Sequence, residues 1–457
     1  MRALASAAKL AQDHLDGLGL RPVVVAHDIW LAAGLQRALP STALACISAC
    51  DAVRVLRARG TDVFCLSEQI GPEVTAGMSS LDLLQHPETA AFFRRLGPTA
   101  VLSFKPSERI GTAITALGGR LLSAPSSAAR AYENKLAFIG AAERAGVPRP
   151  RWEARTLPLD FASLAADLGS PLVIQGPRGN AGQRTWLVHD QEQLEAISGR
   201  ERTGNVRVAE YVEGMPFTAS GVSFSSPGTG LDGRRLAAVV EPCRQVTGVD
   251  WLTPERLGSC GNAWGEPSLE AHRPEITRCV RALGADLAAN NYHGVFGVDF
   301  VLAEDGPLVI EVNPRMVASL PLATELEVEA GRAPLELLHL LELLDADLDL
   351  LDVDEGETPM GVATQLIVHR LPGDADERPQ SGIYRLQSGR ISRVGDGAGL
   401  EDLRRDDDLL LLTRKRGEPV TDRKEFARAY ARSALGENAP GLRQLVSEMR
   451  AGTLSAQ

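Results

Sequence analysis

The chain is poor in lysine. Only five of its 48 basic residues are Lys, the rest being Arg, so each lysine is a less casual choice than usual. It also lacks an excess of positive charge: the net charge is −11, which argues against general nucleic-acid binding while leaving room for a local basic pocket for phosphates. No CxxC pair occurs among Cys46, Cys50, Cys65, Cys243, Cys260 and Cys279. Structural thiols in a reduced, cytoplasmic protein are the expectation. The opening segment "MRALASAAKLAQDHLDG" has no signal-peptide apolar core, and no run is long enough to span a bilayer. No GxGxxG follows the first apolar strand, so dinucleotide binding is not supported there. Internal repeats and low-complexity tracts are missing as well. What remains is an ordinary globular composition, 44% hydrophobic and 23% charged, in a chain long enough for two to four domains.

Residues 1–130 alternate short apolar strands ("PVVVA", "DVFCL", "TAVLSF", "GRLLSA") with helical patterns ("IWLAAGLQRAL", "CDAVRVLRARG"). That pattern predicts an α/β domain with a parallel sheet. His27 and Asp28 end the first strand, where such sheets tend to bind ligands, although a loop-capping Asp explains the pair equally well. From 131 the pattern changes. "ENKLAFIGAAERAGVPRPRW" reads as a helix stopped by Gly146 and two prolines. The strand "PLVIQG" runs into "GPRGNAGQRTWLV", a glycine-rich loop whose N–H groups can wrap phosphate oxygens; a plain flexible turn is the default alternative. "NVRVAEYVEGMPFTASGVS" gives strand, link, strand, and a helix follows at 268–289. After the Leu-rich helix at 334–344 comes an acidic connector, "DADLDLLDVDEGE", then β-patterned segments to about 415 and a closing helix, "DRKEFARAYARSALG". The expected boundaries are 1–130, 131–345 (divided at 204/205) and 346–457.

The stretch "GVFGVDFVLAEDGPLVIEVNPR", 294–315, carries the most chemistry. Two β-rich runs flank Glu304-Asp305-Gly306, which fits a three-residue hairpin loop with Gly306 in the left-handed position. Ala303 then faces Pro307, and Asp299 faces Glu311. Asn313 shares a face with Glu311 because side chains alternate with period two. Two directly opposed carboxylates repel, which points to a cation between them. The donors are hard oxygens, suited to magnesium or manganese rather than zinc. The competing reading is a solvent-facing acidic edge, which the apolar flanks disfavour.

The ordered set of Lys135, strand plus glycine-rich loop, "AEYVEG" and "DF…IEVNPR" resembles the ATP-grasp superfamily over roughly 131–345. Within it the chain looks closest to carboxylate–amine ligases of the biotin carboxylase and amino-acid ligase branches. The resemblance implies an ATP-grasp fold of mixed α/β and α+β class, with an N-terminal parallel-sheet domain and a C-terminal β-rich domain. It implies ATP and Mg2+ (or Mn2+) as cofactors, with Asp299, Glu311 and Asn313 as metal ligands. Arg315 would stabilise the transferring phosphoryl group. Lys135 matches the first phosphate-binding lysine, and Gly179 and Gly182 lie in the phosphate loop. Glu210 and Val212 match the segment whose main chain reads adenine. Two positions depart from the family: Gln175 stands where a second lysine is usual, and Pro216 where an acid for the ribose is common. Arg178 or Arg184 is the expected replacement for the missing charge, and Glu213 for the ribose contact.

The leading function is an ATP-dependent ligase joining a small carboxylic acid, an amino acid in particular, to an amine through an acylphosphate, releasing ADP and phosphate. The alternatives are a biotin- or bicarbonate-dependent carboxylase, though no "MKM" carrier segment occurs, and a catalytically weak nucleotide-binding partner. The expected partners are small-molecule carboxylate and amine substrates, with neither nucleic acid nor membrane, in a homodimer. Candidate substrate-pocket residues lie in 246–265, with Trp251, Arg256 and Trp264, and in "MVASLP" after Arg315.

Overall fold

Three sheets organise the molecule. The computed structural model describes residues 2–451 apart from 180–181, 200–203, 226–236, 240, 349–350, 352–359, 375–377, 388–389, 416–417 and 434–439. The first sheet is parallel: β1 (Arg21–Asp28), β2 (Ala43–Ser48), β3 (Val63–Cys65), β4 (Thr99–Ser103) and β5 (Gly119–Leu121), in the order β3-β2-β1-β4-β5. Its central strands are buried on both faces, which is why they read as unbroken apolar runs rather than alternating ones. The strand "ALACIS" escaped the sequence reading. The stretch "IWLAAGLQRAL" is not one helix but two four-residue helices, Ile29–Ala32 and Leu35–Ala38, separated by a turn at Gly34.

The second sheet is antiparallel: β6 (Trp152–Thr156), β7 (Leu172–Gln175), β8 (Thr185–Val188) and β9 (Asn205–Glu210), ordered β6-β9-β7-β8. The third has eleven strands: β10 (Met215–Ser223), β11 (Ala237–Val239), β12 (Cys243–Thr247), β13 (Ser259–Trp264), β14 (Gly294–Ala303), β15 (Gly306–Asn313), β16 (Ala363–His369), β17 (Gly382–Gln387), β18 (Arg390–Gly395), β19 (Asp408–Thr413) and β20 (Glu425–Ala431). β13 pairs with β16, so this sheet runs on from the hairpin strands into the C-terminal ones. Most of the acidic connector falls outside the described residues.

"DRKEFARAYARSALG" contains a strand, β20, not the expected helix. Ala, Arg and Glu favour a helix locally, but the segment lies between β16 and β19 and is buried from Phe426 to Ala431. Tertiary context overrides propensity here. The fully buried Arg428 is matched by Glu425 at 2.8 Å and by the Ala318 carbonyl at 3.0 Å. Asp28 meets Arg414 at 2.9 Å; burial works against its ionisation, and Arg414 with His27 outweighs that and holds the carboxyl well below the usual range. The pair Asp28–Arg414 thus ties the parallel sheet to the end of β19. All six cysteines are buried and none is joined in a disulfide. Among the described residues no helix is long and apolar enough to cross a membrane.

Two helices, Leu320–Glu329 and Leu335–Leu343, are buried almost all round, against the parallel sheet on one side. They carry buried acids. Burial raises Glu336 to about 8, helped by Glu327 and Glu325 and opposed by Thr324, and raises Glu325 and Glu327 to about 7 each. Folded values above the unfolded carboxylate value make the folded state bind protons more tightly. That stability is complete at acid pH and is lost as pH rises through 7 to 8. The melting temperature is therefore expected to fall between about pH 5 and pH 8.5, and Glu336→Gln to make the fall shallower, as read by calorimetry. An unchanged slope in the variant would contradict this.

Candidate active site

The hairpin β14–β15 opposes its acids as expected, by a different route. The turn has two residues, Glu304 and Asp305, with Ala303 opposite Gly306, so the first pairs are one residue out of the expected register. A bulge at Ile310 restores it, and Asp299 faces Glu311. The bulge has a physical reason on each side. Phe300 and Val309 stay buried, Phe300 stacking on Phe217 at 4.7 Å, while Ile310 and Glu311 both line the cleft. An extra residue in one strand also frees a backbone group from the ladder. Here the Ile310 carbonyl accepts a hydrogen bond from Arg207 Nη1 at 3.0 Å.

Asp299 sits half-buried beside Thr218 on β10 and accepts from Gln245 Nε2 at 2.7 Å and Asn313 Nδ2 at 3.0 Å. Burial and the opposed Glu311 raise its carboxyl to about 6, against Thr218, Lys135 and Arg315. For Glu311 the balance is reversed. Burial opposes its charge, but Lys135, with Arg207 and Arg315, holds it below the ordinary range. Lys135 Nζ lies 2.6 Å from Glu311 Oε2. Asn134 places that lysine: its side chain caps helix Lys135–Arg144 by accepting from Leu136 and Ala137 N–H groups. The Lys135 N–H also donates to the Pro177 carbonyl at 2.9 Å, fastening the helix to the glycine-rich loop. A side chain at Gly179 would run into the Gln183 carbonyl at 2.1 Å, so this loop closes on itself only with glycine there. Arg315 Nη2 donates to Asn313 Oδ1 at 3.2 Å, and Arg315 Nε lies 3.5 Å from Glu133.

The cation that meets Gln175 is neither Arg178 nor Arg184 but Arg207, which sequence reasoning missed. Arg207 faces Gln175 across β9 and β7, and its Nε donates to Gln175 Oε1 at 2.9 Å. Its guanidinium lies 4.5 Å over the Trp152 ring and is fully buried; burial lowers it to about 10, and Glu311 acts in the opposite sense. The available signal was an Arg at a buried position of an otherwise apolar strand, "NVRVAE". Arg178 is exposed and stands with Gly179 beside Lys135 in a second cavity, while Gly182 and Thr185 line the main cleft. Arg184 takes a left-handed backbone, φ 57°.

The main cleft has a volume of about 530 Å³ and lies between the four-stranded and eleven-stranded sheets. Glu210, Tyr211, Val212 and Pro216 line it, whereas Glu213 does not and is exposed. The Glu210 carboxylate is held by Arg151 at 2.7 Å, so the strand offers the cleft its main chain. Met316, after Arg315, lines the second cavity, and Val317, Ala318 and Ser319 line the cleft. Of 246–265, Thr247, Leu257, Ser259 and Asn262 reach the cleft; Trp264 is packed in the core, and Trp251 and Arg256 lie off both cavities.

This geometry fits a divalent cation: two opposed carboxylates and an amide form a hard-oxygen set, and one carboxyl is driven toward protonation by burial and by the other's charge. Among the described residues no cluster of three His, Cys, Asp or Glu offers another metal site.

Residues 132–319 match the family model described as the ATP-grasp domain. Among curated proteins it is 23% identical over 345 residues to the carbamoyl phosphate synthase large chain of Thermus thermophilus, a match covering 68% of this chain and 31% of that protein. It is 48% identical over 66 residues to the L-propargylglycine–L-glutamate ligase of Streptantibioticus cattleyicolor, 14% of each chain. The match spans about a third or less of each of these relatives. Among solved structures, the biotin carboxylase domain of 2-oxoglutarate carboxylase from Hydrogenobacter thermophilus superposes with TM-score 0.58 at 14% identity, covering 90% of this chain and 86% of that one. The L-amino acid ligase from Bacillus licheniformis superposes with TM-score 0.56 at 15% identity, covering 94% and 97%. At these identities the structures establish the fold: a parallel-sheet α/β unit followed by the two sheets of the grasp.

Asp299 gives a pH test. Its raised value means that the cation-free protein gains stability from a protonated Asp299 at low pH and loses it as pH rises through about 6. Asp299→Asn is expected to raise the melting temperature of metal-free protein at about pH 8, with little effect near pH 5, and to remove stabilisation by Mg2+ or Mn2+. Equal effects at both pH values would contradict the assignment.

Proposed function

We propose that the protein is an ATP-dependent carboxylate–amine ligase that forms an amide or peptide bond through an acylphosphate and releases ADP and phosphate. The observation that carries this reading is the meeting of two cavities at one hairpin end. The cleft beside Val212 suits a nucleotide, and a second cavity opens on the other side of Glu311, Asn313 and Arg315. Asp299, Glu311 and Asn313 would hold magnesium or manganese, which supplies positive charge to the phosphate oxygens. Lys135 and Arg207 bring protein cations to the same place, and Gln175 orients Arg207. A carboxylate oxygen of the acceptor attacks the γ-phosphorus, and the bond to ADP breaks. The amine then attacks the acyl carbon and loses its proton, and phosphate leaves. Arg315 faces both cavities, where it can offset charge on the transferring group.

Bicarbonate as the carboxylate is the second reading, favoured by the similarity to carbamoyl phosphate synthase. The second cavity, about 360 Å³, is larger than bicarbonate needs and supports an organic acid. A nucleotide-binding partner without catalysis has no use for two opposed carboxylates surrounded by Lys135, Arg207 and Arg315. A homodimer completes the proposal; the similar biotin carboxylase domain is a dimer.

Two experiments test the assignment. Glu311→Gln removes a charge from the metal site and is expected to abolish ATP-dependent phosphate release while leaving the fold intact; wild-type turnover by a folded variant would sink the reading.

The second concerns Arg207. A charged hydrogen bond contributes about 1.5–3 kcal/mol, so Arg207→Gln should weaken ATP binding roughly ten- to a hundredfold. Gln175→Lys alone should also harm, because it sets an ammonium against a buried guanidinium. The double variant Gln175→Lys/Arg207→Gln should recover much of the affinity in calorimetric titration. No recovery would show that Arg207 acts by packing alone.

A further inference from the structure

The second cavity has a composition of its own. Lys105 stands two residues beyond the end of β4 and lines both cavities, as do Glu311, Asn313 and Arg315. Among the described residues Lys105 makes no ion pair and no hydrogen bond, unlike Lys135, Arg130 and Arg315; of the other cations lining the cavity only the exposed Arg178 shares that state. Lys135 is paired with Glu311, Arg130 with Glu108 at 2.8 Å and Arg315 with Glu133 at 3.5 Å. Burial and the neighbouring Arg315 push the Lys105 ammonium below its ordinary range, against the pull of Glu133. An ammonium held beside a guanidinium, without a carboxylate of its own, is an anion site. The one acid on this side of the chamber, Glu133, is a partly exposed carboxylate.

The remaining wall is different in kind. Leu122, Phe138, Val295 and Met316 line it. His339 adds no charge: burial depresses it to about 4, and its Nδ1 accepts the Val295 N–H at 3.0 Å. Serines 103, 107, 123 and 126 add neutral hydroxyls, and Arg178 with Gly179 borders the cavity on the side of Lys135.

Resting on the ligase reading above, we infer that this chamber takes an α-amino acid with an apolar side chain, Lys105 and Arg315 holding its carboxylate at the hairpin end and Glu133 meeting its ammonium. The side chain lies against Leu122, Phe138, Val295 and Met316. The acid and the nucleotide then occupy separate cavities that share only the wall where phosphoryl transfer takes place. A basic or acidic side chain would meet no free partner on the apolar wall, and burying its charge there is costly.

Thermal-shift titration of the full chain tests this with non-hydrolysable ATP analogue and Mg2+ present. The expected result is a rise in melting temperature with L-leucine, L-methionine or L-phenylalanine, and far less with L-leucinamide, which lacks the carboxylate, or with L-glutamate. Lys105→Met should still respond to the nucleotide analogue, with a smaller increment because Lys105 also borders the nucleotide cleft, which shows that it folds and binds nucleotide. Its apparent Kd for L-leucine should rise roughly tenfold or more, and Lys105→Arg should recover part of the loss. Three results would overturn the inference: L-leucinamide matching L-leucine, no response to any apolar amino acid in a protein that responds to the analogue, or unchanged L-leucine binding in Lys105→Met. Absence of any shift with the analogue itself would overturn the ligase reading, and this inference with it.

Discussion

Two carboxylates facing each other across a bulged hairpin set the terms for everything around them. Asp299 and Glu311 repel when both carry charge in a half-buried site, and the two differ sharply: Asp299 is driven up to about 6, while Glu311 is held down by Lys135. Each neighbouring element answers that charge. The helix start at Lys135, the buried Arg207 on β9 and Arg315 past the end of β15 all bring cations to the same two acids. Such an arrangement is unfavourable for an empty site and suited to a polyanion with its metal, because the ligand completes a charge pattern that the protein leaves open.

Arg207 links this chemistry to the fold. Its guanidinium joins β7 through Gln175, β15 through the Ile310 carbonyl and β6 through the Trp152 ring. One side chain therefore fixes the four-stranded sheet against the eleven-stranded one across the cleft. The bulge serves both ends of that contact: it supplies the free carbonyl and returns Glu311 to its place opposite Asp299. Beyond the cleft, Gln365 on β16 donates to Asn262 at 2.8 Å, so polar contacts continue from the cleft wall into the C-terminal strands.

Much of this was legible in the sequence, and the exceptions have reasons. Strands buried on both faces, the helix after Asn134 and the opposition of Asp299 and Glu311 follow from patterns a few residues long. The hairpin shows how a correct pair can come from a wrong turn: a two-residue turn and a bulge give the same alignment at Asp299 as a three-residue loop without one. Arg207 was not legible, because its role depends on two strands meeting that are 32 residues apart. Lys105 belongs to the same class. Its position beside Arg315 is created only when the parallel sheet packs near the hairpin end. The strand β20 was misread because its composition favours a helix and only its burial between two strands decides otherwise.

Transfer of the γ-phosphoryl group to a substrate carboxylate is the step on which the account depends. It can be followed with L-leucine labelled with oxygen-18 in its carboxylate, incubated with ATP, Mg2+ and an amine acceptor, with mass analysis of the phosphate released. Attack by the carboxylate followed by departure of phosphate carries one labelled oxygen into that phosphate, with ADP formed in equal amount. Unlabelled phosphate, or AMP in place of ADP, would contradict the account.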